Sequence, residues 1–319
     1  MSIRISIVIP FYNVEKYIAE CLDSVFNQDI PEEEYEVICV NDASPDGSRD
    51  IVLEYQEKHQ NLILVEHEVN KKLGAARNTG RRIARGKYLW NVDSDDILHK
   101  NCLKEILDIC DKNDLDVLLF CFDLLKGGEI EGRIRPWKRE RPCTGIEFWE
   151  QQVLHNQTEI SQVWTQVYRR AYLDSAGIFS PEINMSEDEP YTYSSIIMAK
   201  RIMSIPESFY IARQHSDSLT RVFRKTPSSD LLYDSSFASG RVMYDTLSFI
   251  PSEHKMVREN ILSVLKYKIS SALEVYDQMT DIDKKSFKKR CRKDFFRNLF
   301  AMKVLSRRQA LSYLSFLFL

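Results

Sequence analysis

A mixed, largely parallel α/β sheet flanked by helices, Rossmann-like in its first half, is the architecture this sequence predicts, with a helical extension at the C-terminus. Three observations predict it. Short runs rich in Val and Ile recur at 3–9, 35–40, 62–65, 88–92 and 117–122, most of them apolar on both faces, as buried parallel strands are. Segments with apolar residues at helical spacing separate them. Ten Gly and ten Pro among 319 residues are too few for an all-β fold with many tight turns.

The elements follow in order. After the first strand, Val14, Tyr17, Ile18, Cys21, Leu22, Val25 and Phe26 repeat at helical spacing, with Asn13 placed as the cap and Pro31 just beyond the end. Further helices are predicted over 49–60, 74–85 and 103–113, giving an alternation of strand and helix. Gly127, Gly128 and the polar stretch to Pro142 read as a loop. Beyond it come a helix over 145–155, a segment at 164–168, a helix through 191–200 and a short strand pair around Pro206. From Ser228 the pattern is helical, with Val257, Ile261, Val264, Leu265 and Ile269 on one face. The chain divides into 1–225, with halves at 1–122 and 123–225, and a helical extension over 226–319.

Composition bounds the function. With 44% apolar and 29% charged residues the chain is an ordinary globular protein, neither disordered nor fibrous. Seven Cys, none in a Cys-x-x-Cys pair and most inside apolar runs, read as buried thiols of a cytoplasmic protein and not as a disulfide or zinc framework. The first ten residues read as a strand and not a signal peptide, and no run nears the ~20 apolar residues that span a bilayer. Net charge is −3, but 284–308 carries eleven Lys or Arg against Asp294 alone, which leaves −13 for the remainder. A basic tail on an acidic body points to an anionic partner.

Ligands of open α/β sheets bind beyond the carboxyl ends of the strands, so the residues following each strand are where chemistry is expected. Pro10-Phe11-Tyr12-Asn13 follows the first, Asn41-Asp42-Ala43-Ser44-Pro45-Asp46-Gly47 the second, and Asp93-Ser94-Asp95-Asp96 the fourth. Glycine-rich phosphate loops are absent, so a nucleotide's phosphates would need a cation in place of backbone amides. Alternate carboxylates are hard ligands for Mg²⁺ or Mn²⁺, although acidic turns and helix caps produce the same pattern.

Four motifs occur in sequence: Ile7-Val8-Ile9-Pro10-Phe11-Tyr12-Asn13, Val40-Asn41-Asp42-Ala43-Ser44-Pro45-Asp46-Gly47, Gly74-Ala75-Ala76-Arg77-Asn78-Thr79-Gly80 and Val92-Asp93-Ser94-Asp95-Asp96. Together they resemble the family 2 glycosyltransferases, which have the nucleotide-diphospho-sugar (GT-A) fold. The match is close over about 3–100 and looser through Trp164-Thr165-Gln166-Val167-Tyr168-Arg169-Arg170 and Ser186-Glu187-Asp188-Glu189. The resemblance implies an inverting transferase that uses a nucleoside-diphosphate sugar, UDP in the first place, with Mn²⁺ or Mg²⁺ and a saccharide or lipid-linked saccharide acceptor. It implies that Pro10, Phe11 and Tyr12 line the nucleoside pocket, that Asp42 accepts the uracil N3–H, and that Arg77 approaches the nucleotide. Asp93 would reach ribose or metal and Asp95 would ligate the metal, with Asp96 as a helix cap. Asn41 and Ala43 stand where the motif more usually has Asp and Gly, which bears on the shape of that turn. Asp188 would be the general base, with Glu187 or Glu189 as alternatives. Ser186 and Glu189 also have the spacing of a capping box, so that Glu189 would cap while Asp188 faces the cleft. Arg213 is a diphosphate candidate, His215 a third metal ligand, and Trp164 an aromatic that stacks on an acceptor sugar or belongs to the core. The segment 210–220 would close over the diphosphate.

Two rival classes share the architecture. A catalytically silent binding protein that recruits partners to a membrane has no physical need for four costly carboxylates in one cleft. A sugar nucleotidyltransferase needs a basic, glycine-rich loop after the first strand, where Pro10-Phe11-Tyr12-Asn13 offers none.

In the tail 284–319, Phe287, Cys291, Phe295, Phe296, Leu299, Phe300 and Met302 interleave with Lys and Arg at helical spacing, and no charge follows Arg308. Such a segment fits an interfacial anchor on an anionic membrane surface, on its cytoplasmic face, better than a nucleic-acid site, because the Phe residues share one helical face. A helix packed on the acidic body is the other reading.

Overall fold

The computed structural model describes residues 2–134, 139–157, 160–215, 228–277, 279–294, 297–306, 309–311 and 313–314. Ten strands form one sheet: β1 (Ile5–Phe11), β2 (Tyr35–Asn41), β3 (Leu62–Glu66), β4 (Tyr88–Asn91), β5 (Ile97–Leu98), β6 (Val117–Lys126), β7 (Glu129–Ile134), β8 (Arg139–Cys143), β9 (Gln166–Arg169) and β10 (Ile202–Arg213). Their order is β3-β2-β1-β4-β9-β6-β10-β5, with β7 on β6 and β8 on β10. The first four are parallel, and β9 runs antiparallel to both β4 and β6. Every residue of β1 and β2 is buried, which matches their uninterrupted apolar pattern apart from Ser6, Glu36 and Asn41.

Helices α1 (Ile18–Phe26), α2 (Ser48–Lys58), α3 (Leu73–Ile83) and α4 (Leu103–Asn113) link the early strands, and α5 (Gly145–Leu154), α6 (Arg170–Ser175) and α7 (Asp188–Ile197) the later ones. Helix α3 lies close on the sheet because of its glycines. A Cβ on Gly80 would strike Val8, and one on Gly74 would strike the carbonyl of Pro181. These close approaches bring the N-terminal half of α3 beside the segment that leads into α7.

Several elements differ from the sequence expectation. Asn13 does not cap: it lies at φ +55°, and the chain makes a turn on the Val14 carbonyl before α1 begins at Ile18. The polar stretch after Gly128 contains β7 and β8, whose periodicity is hidden because they are short and polar. The strand pair around Pro206 is one long strand, β10, whose register against β6 slips between Ser204 and Ser208, where proline cannot donate to the ladder. The capping box at 186–189 does not form. Ser186 is left-handed at φ +61°, and Glu189 instead pairs with Lys268.

The extension comprises α8 (Ser229–Tyr233), α9 (Ser239–Thr246), α10 (Lys255–Asp277), α11 (Asp281–Lys293) and α12 (Leu299–Val304). Phe287, Cys291 and Tyr313 are fully buried among Tyr233 and Phe237, and Arg290 bonds Asp230 at 3.0 Å and the buried Asp234 at 2.7 Å. The apolar face of α11 is therefore occupied by the body of the protein. Phe295, Phe296 and 315–319 lie outside the described residues, as do the side chains of Leu299, Phe300 and Met302. All seven cysteines are buried. Among the described residues no helix is long and apolar enough to cross a membrane.

Candidate active site

The carboxyl ends of β1, β2 and β4 open on one edge of the sheet, and their following turns converge there. The turn after β4 is closed by Asp96 N–H donating to the Asp93 carbonyl at 3.1 Å. Asp96 caps no helix. Its carboxylate accepts from the Tyr210 hydroxyl at 2.7 Å and the Arg213 amide at 2.7 Å, which fastens the turn to β10. Burial, with the charges of Asp95 and Asp93, holds the Asp96 carboxyl well above the usual carboxylate range. Tyr210 also receives the Asp93 amide at 3.1 Å, so one phenol holds both ends of the turn.

Arg77 is the centre of the site. It is 2% exposed, and its guanidinium donates from Nη2 to Asp93 Oδ1 at 2.8 Å and from Nη1 to Asp188 Oδ1, with Glu187 Oε1 at 3.4 Å. Burial opposes the charge, but Asp188, Asp93 and Glu187 together keep the guanidinium firmly protonated. Desolvation pushes Asp93 up to about 6 against the pull of Arg77, with Asp188 and Asp95 adding to the rise. Desolvation and then the charge of Asp188 push Glu187 up to about 8, again against Arg77. Arg77, expected to approach a nucleotide, is buried and joins the strand-end acid Asp93 to the start of α7. Glu189 is paired with Lys268 on α10 and stands apart from the Arg77 clamp.

Asp42, 3% exposed, accepts at Oδ1 from His67 Nδ1 at 2.7 Å and the Lys71 amide at 2.8 Å, and at Oδ2 from the Lys72 amide at 2.8 Å. Asp46 bonds the amide and hydroxyl of Ser48 as a turn residue does, and also the Glu15 amide. Ala43 lies at φ +60°, the left-handed conformation that glycine takes without strain, so the turn keeps its shape with alanine and bears the steric cost.

Asp95 and His215 meet, with Oδ2 and Nε2 2.8 Å apart. The His215 ring lies against Tyr17, centroids 4.7 Å apart, and Arg213 reaches Glu20, the Asp95 carbonyl at 3.0 Å and the Tyr17 ring. The carboxylate is an oxygen donor that suits Mn²⁺ or Mg²⁺, and the imidazole nitrogen beside it suits the transition metal Mn²⁺ better than Mg²⁺. Among the described residues no group of three His, Cys, Asp or Glu is placed to hold a metal. Two protein ligands still fit these ions, which keep waters and share themselves with substrate phosphates. Asp93 is turned to Arg77, so it is the less available ligand.

The structure separates some expected site residues from the rest. Pro10 and Phe11 are strand residues, Phe11 only 2% exposed, and of that trio Tyr12 alone reaches the surface, at 47%. Trp164 belongs to the core: it is 9% exposed, stacks on Tyr210 with centroids 4.4 Å apart and meets Phe122 at a steep angle. Residues 216–220 lie outside the described residues. Residues 210–213, expected to open a loop after the last strand, are instead the end of β10, and sequence reasoning missed the anchoring parts played by Tyr210 and His67. His67 directly follows β3 on the same sheet edge, so the strand-end rule applied to the third strand would have found it.

With this geometry in view, the comparisons assign the class. The model of glycosyl transferase family 2 matches residues 6–175, and the chain belongs to that family. It is 33% identical over 221 residues to the uncharacterized glycosyltransferase EpsJ of Bacillus subtilis, covering 68% of this chain and 63% of that one. It is 35% identical over 204 residues to the poly(ribitol-phosphate) beta-glucosyltransferase of Bacillus spizizenii, covering 62% of this chain but only 30% of that protein. The chain thus spans under two-thirds of one relative and under a third of the other. Among solved structures, S. aureus TarS 1-349 in complex with UDP superposes with a TM-score of 0.65 at 26% identity, covering 84% of this chain and 71% of that one. The UDP-GlcNAc complex gives 0.69 at 24% identity over 93% and 82%. The mixed sheet with flanking helices is the GT-A fold.

Proposed function

We propose that this chain transfers a sugar, with inversion, from a UDP-sugar to a hydroxyl of a saccharide, a lipid-linked saccharide or a polyol-phosphate polymer. The observation that carries the reading is the buried Arg77 clamp, which gathers Asp93, Glu187 and Asp188 onto the sheet edge that also bears Asp42 and the Asp95–His215 pair. The donor assignment draws support from UDP and UDP-GlcNAc in the TarS complexes, and the polymer acceptor from the names of the relatives.

Asp188 is the general base. Its side chain is 26% exposed against 8% for Glu187, so it is the carboxylate of the pair that an acceptor can reach. It takes the hydroxyl proton as the acceptor oxygen bonds the anomeric carbon and the bond from that carbon to the diphosphate oxygen breaks. Asp95 and His215 would hold the divalent cation, whose chemistry is to neutralise charge developing on the departing diphosphate. Arg213 stands beside that pair, bonded to the Asp95 carbonyl at 3.0 Å, and would add positive charge on the side of the leaving group. In calorimetry, UDP affinity in Mn²⁺ should fall by about tenfold or more when EDTA replaces the metal. Equal affinity in the two buffers would remove the metal from the mechanism.

The tail reading also changes form. Lys285, Lys289 and Lys293 are exposed along α11 while Phe287 and Cys291 face inward, which favours electrostatic attachment to an anionic membrane surface over insertion. Removing the tail would unpack the body, so charge reversal is the sound test. Vesicles containing phosphatidylserine should float the protein at low salt, and K285E/K289E/K293E should leave it at the bottom of the gradient. Equal flotation, or none with either protein, overturns the attachment.

A further inference from the structure

His67 is buried behind Asp42, with its two ring nitrogens both engaged: Nδ1 to Asp42 Oδ1 at 2.7 Å and Nε2 to the Thr79 hydroxyl at 2.9 Å. A carboxylate only accepts, so Nδ1 carries the hydrogen, and in the neutral ring Nε2 accepts from Thr79 Oγ1–H. The chain of bonds runs from α3, which carries Thr79 and Arg77, through the residue after β3 to the residue after β2. His67 is itself anchored by its amide, which donates to the Asn41 carbonyl at 2.9 Å.

The count of acceptors gives this arrangement its meaning. A carboxylate has roughly four lone-pair positions. His67 and the Lys71 amide occupy both on Oδ1, and the Lys72 amide takes one on Oδ2. Among the described residues one position remains, on Oδ2. The loop that supplies the two amides is not in its own preferred shape: Lys72 lies at φ +76°, ψ 164°, a region that glycine alone adopts freely. The bonds to Asp42 hold it there, and the Asp42 orientation in turn depends on His67.

We propose that His67, fixed by Thr79, is a positioning residue that leaves Asp42 a single directed acceptor and thereby selects a nucleobase presenting a ring N–H. Uracil offers that donor at N3. Cytosine has an unprotonated, accepting nitrogen at the same position, which would set lone pair against lone pair. The proposal rests on the UDP reading above and gives it a mechanism of base selection.

The test compares UDP with CDP by calorimetry, in Mn²⁺, on the full chain. The wild type should prefer UDP by about tenfold or more, the range of a hydrogen bond to a charged acceptor. His67→Leu should reduce that preference to about threefold or less. His67→Asn, whose amide donor lies near the Nδ1 position, should restore most of it. Thr79→Val, which frees the ring without touching Asp42, should lower it part of the way and serves if His67→Leu does not fold. A merely structural role would weaken both nucleotides alike and leave the ratio intact. An unchanged UDP:CDP ratio in His67→Leu, or in Thr79→Val where the first does not fold, overturns the proposal while the UDP reading survives. A wild type without preference for UDP over CDP removes the base reading and the proposal with it.

Discussion

Asp188→Asn should lower turnover by roughly 10²- to 10⁴-fold while donor affinity barely moves. Asparagine keeps the shape of the side chain and an oxygen for Arg77 Nη1, but it cannot take the acceptor proton. The split matters more than the size of the loss, because a variant that merely disordered the start of α7 would release the Arg77 clamp and weaken donor binding too. Steady-state transfer measured beside UDP calorimetry separates the two. A near-normal rate would move the base to Glu187, which touches the same guanidinium at 3.4 Å.

Arg77→Met should destabilise the fold by about 3–5 kcal/mol, the cost of leaving buried carboxylates without their counter-charge. The loss should depend on pH. Asp93 already sits near 6 in the folded protein, against an ordinary 3.8, and Arg77 is the group that holds it down. Without Arg77 its folded pKa rises further. Above about 6 the variant's native state then keeps a proton that the wild type's has released, so its stability goes on falling with rising pH where the wild type's no longer does. Denaturant titrations should therefore show a smaller deficit for Arg77→Met at pH 5 than at pH 8. An equal deficit at both would mean that packing, and not charge, sets the penalty.

What could be read from the sequence was whatever a local pattern encodes. The helix 103–113 matches α4, and 35–40 matches β2 but for Asn41, because burial on both faces leaves an unbroken apolar run. The acids of the site were legible because strand ends in an open sheet converge whatever the partners are. What escaped was decided by residues far away in the chain. Asp96 looks like a cap until Tyr210, 114 positions on, takes its carboxylate. Glu189 fits a capping box until Lys268, 79 positions on, draws it out. Trp164 has the spacing of either role, and only the stacked Tyr210 decides for the core. The tail shows the same limit: its amphipathic pattern is real, but a helical pattern does not say whether Phe287 faces lipid or Tyr233.

The place of β9 between β4 and β6 also bears on how the chain can be made. Until residues 166–169 emerge from the ribosome, β4 carries a bare edge of amides and carbonyls in the middle of the future sheet, where another nascent chain can pair with it. The same delay applies to Arg77, whose partners Glu187 and Asp188 lie 110 and 111 residues downstream. A fragment ending at residue 122 would thus expose an unprotected strand and leave the buried cation with Asp93 alone of its three carboxylate partners. The boundary drawn from the sequence at that point runs through one sheet and one cluster of ion pairs.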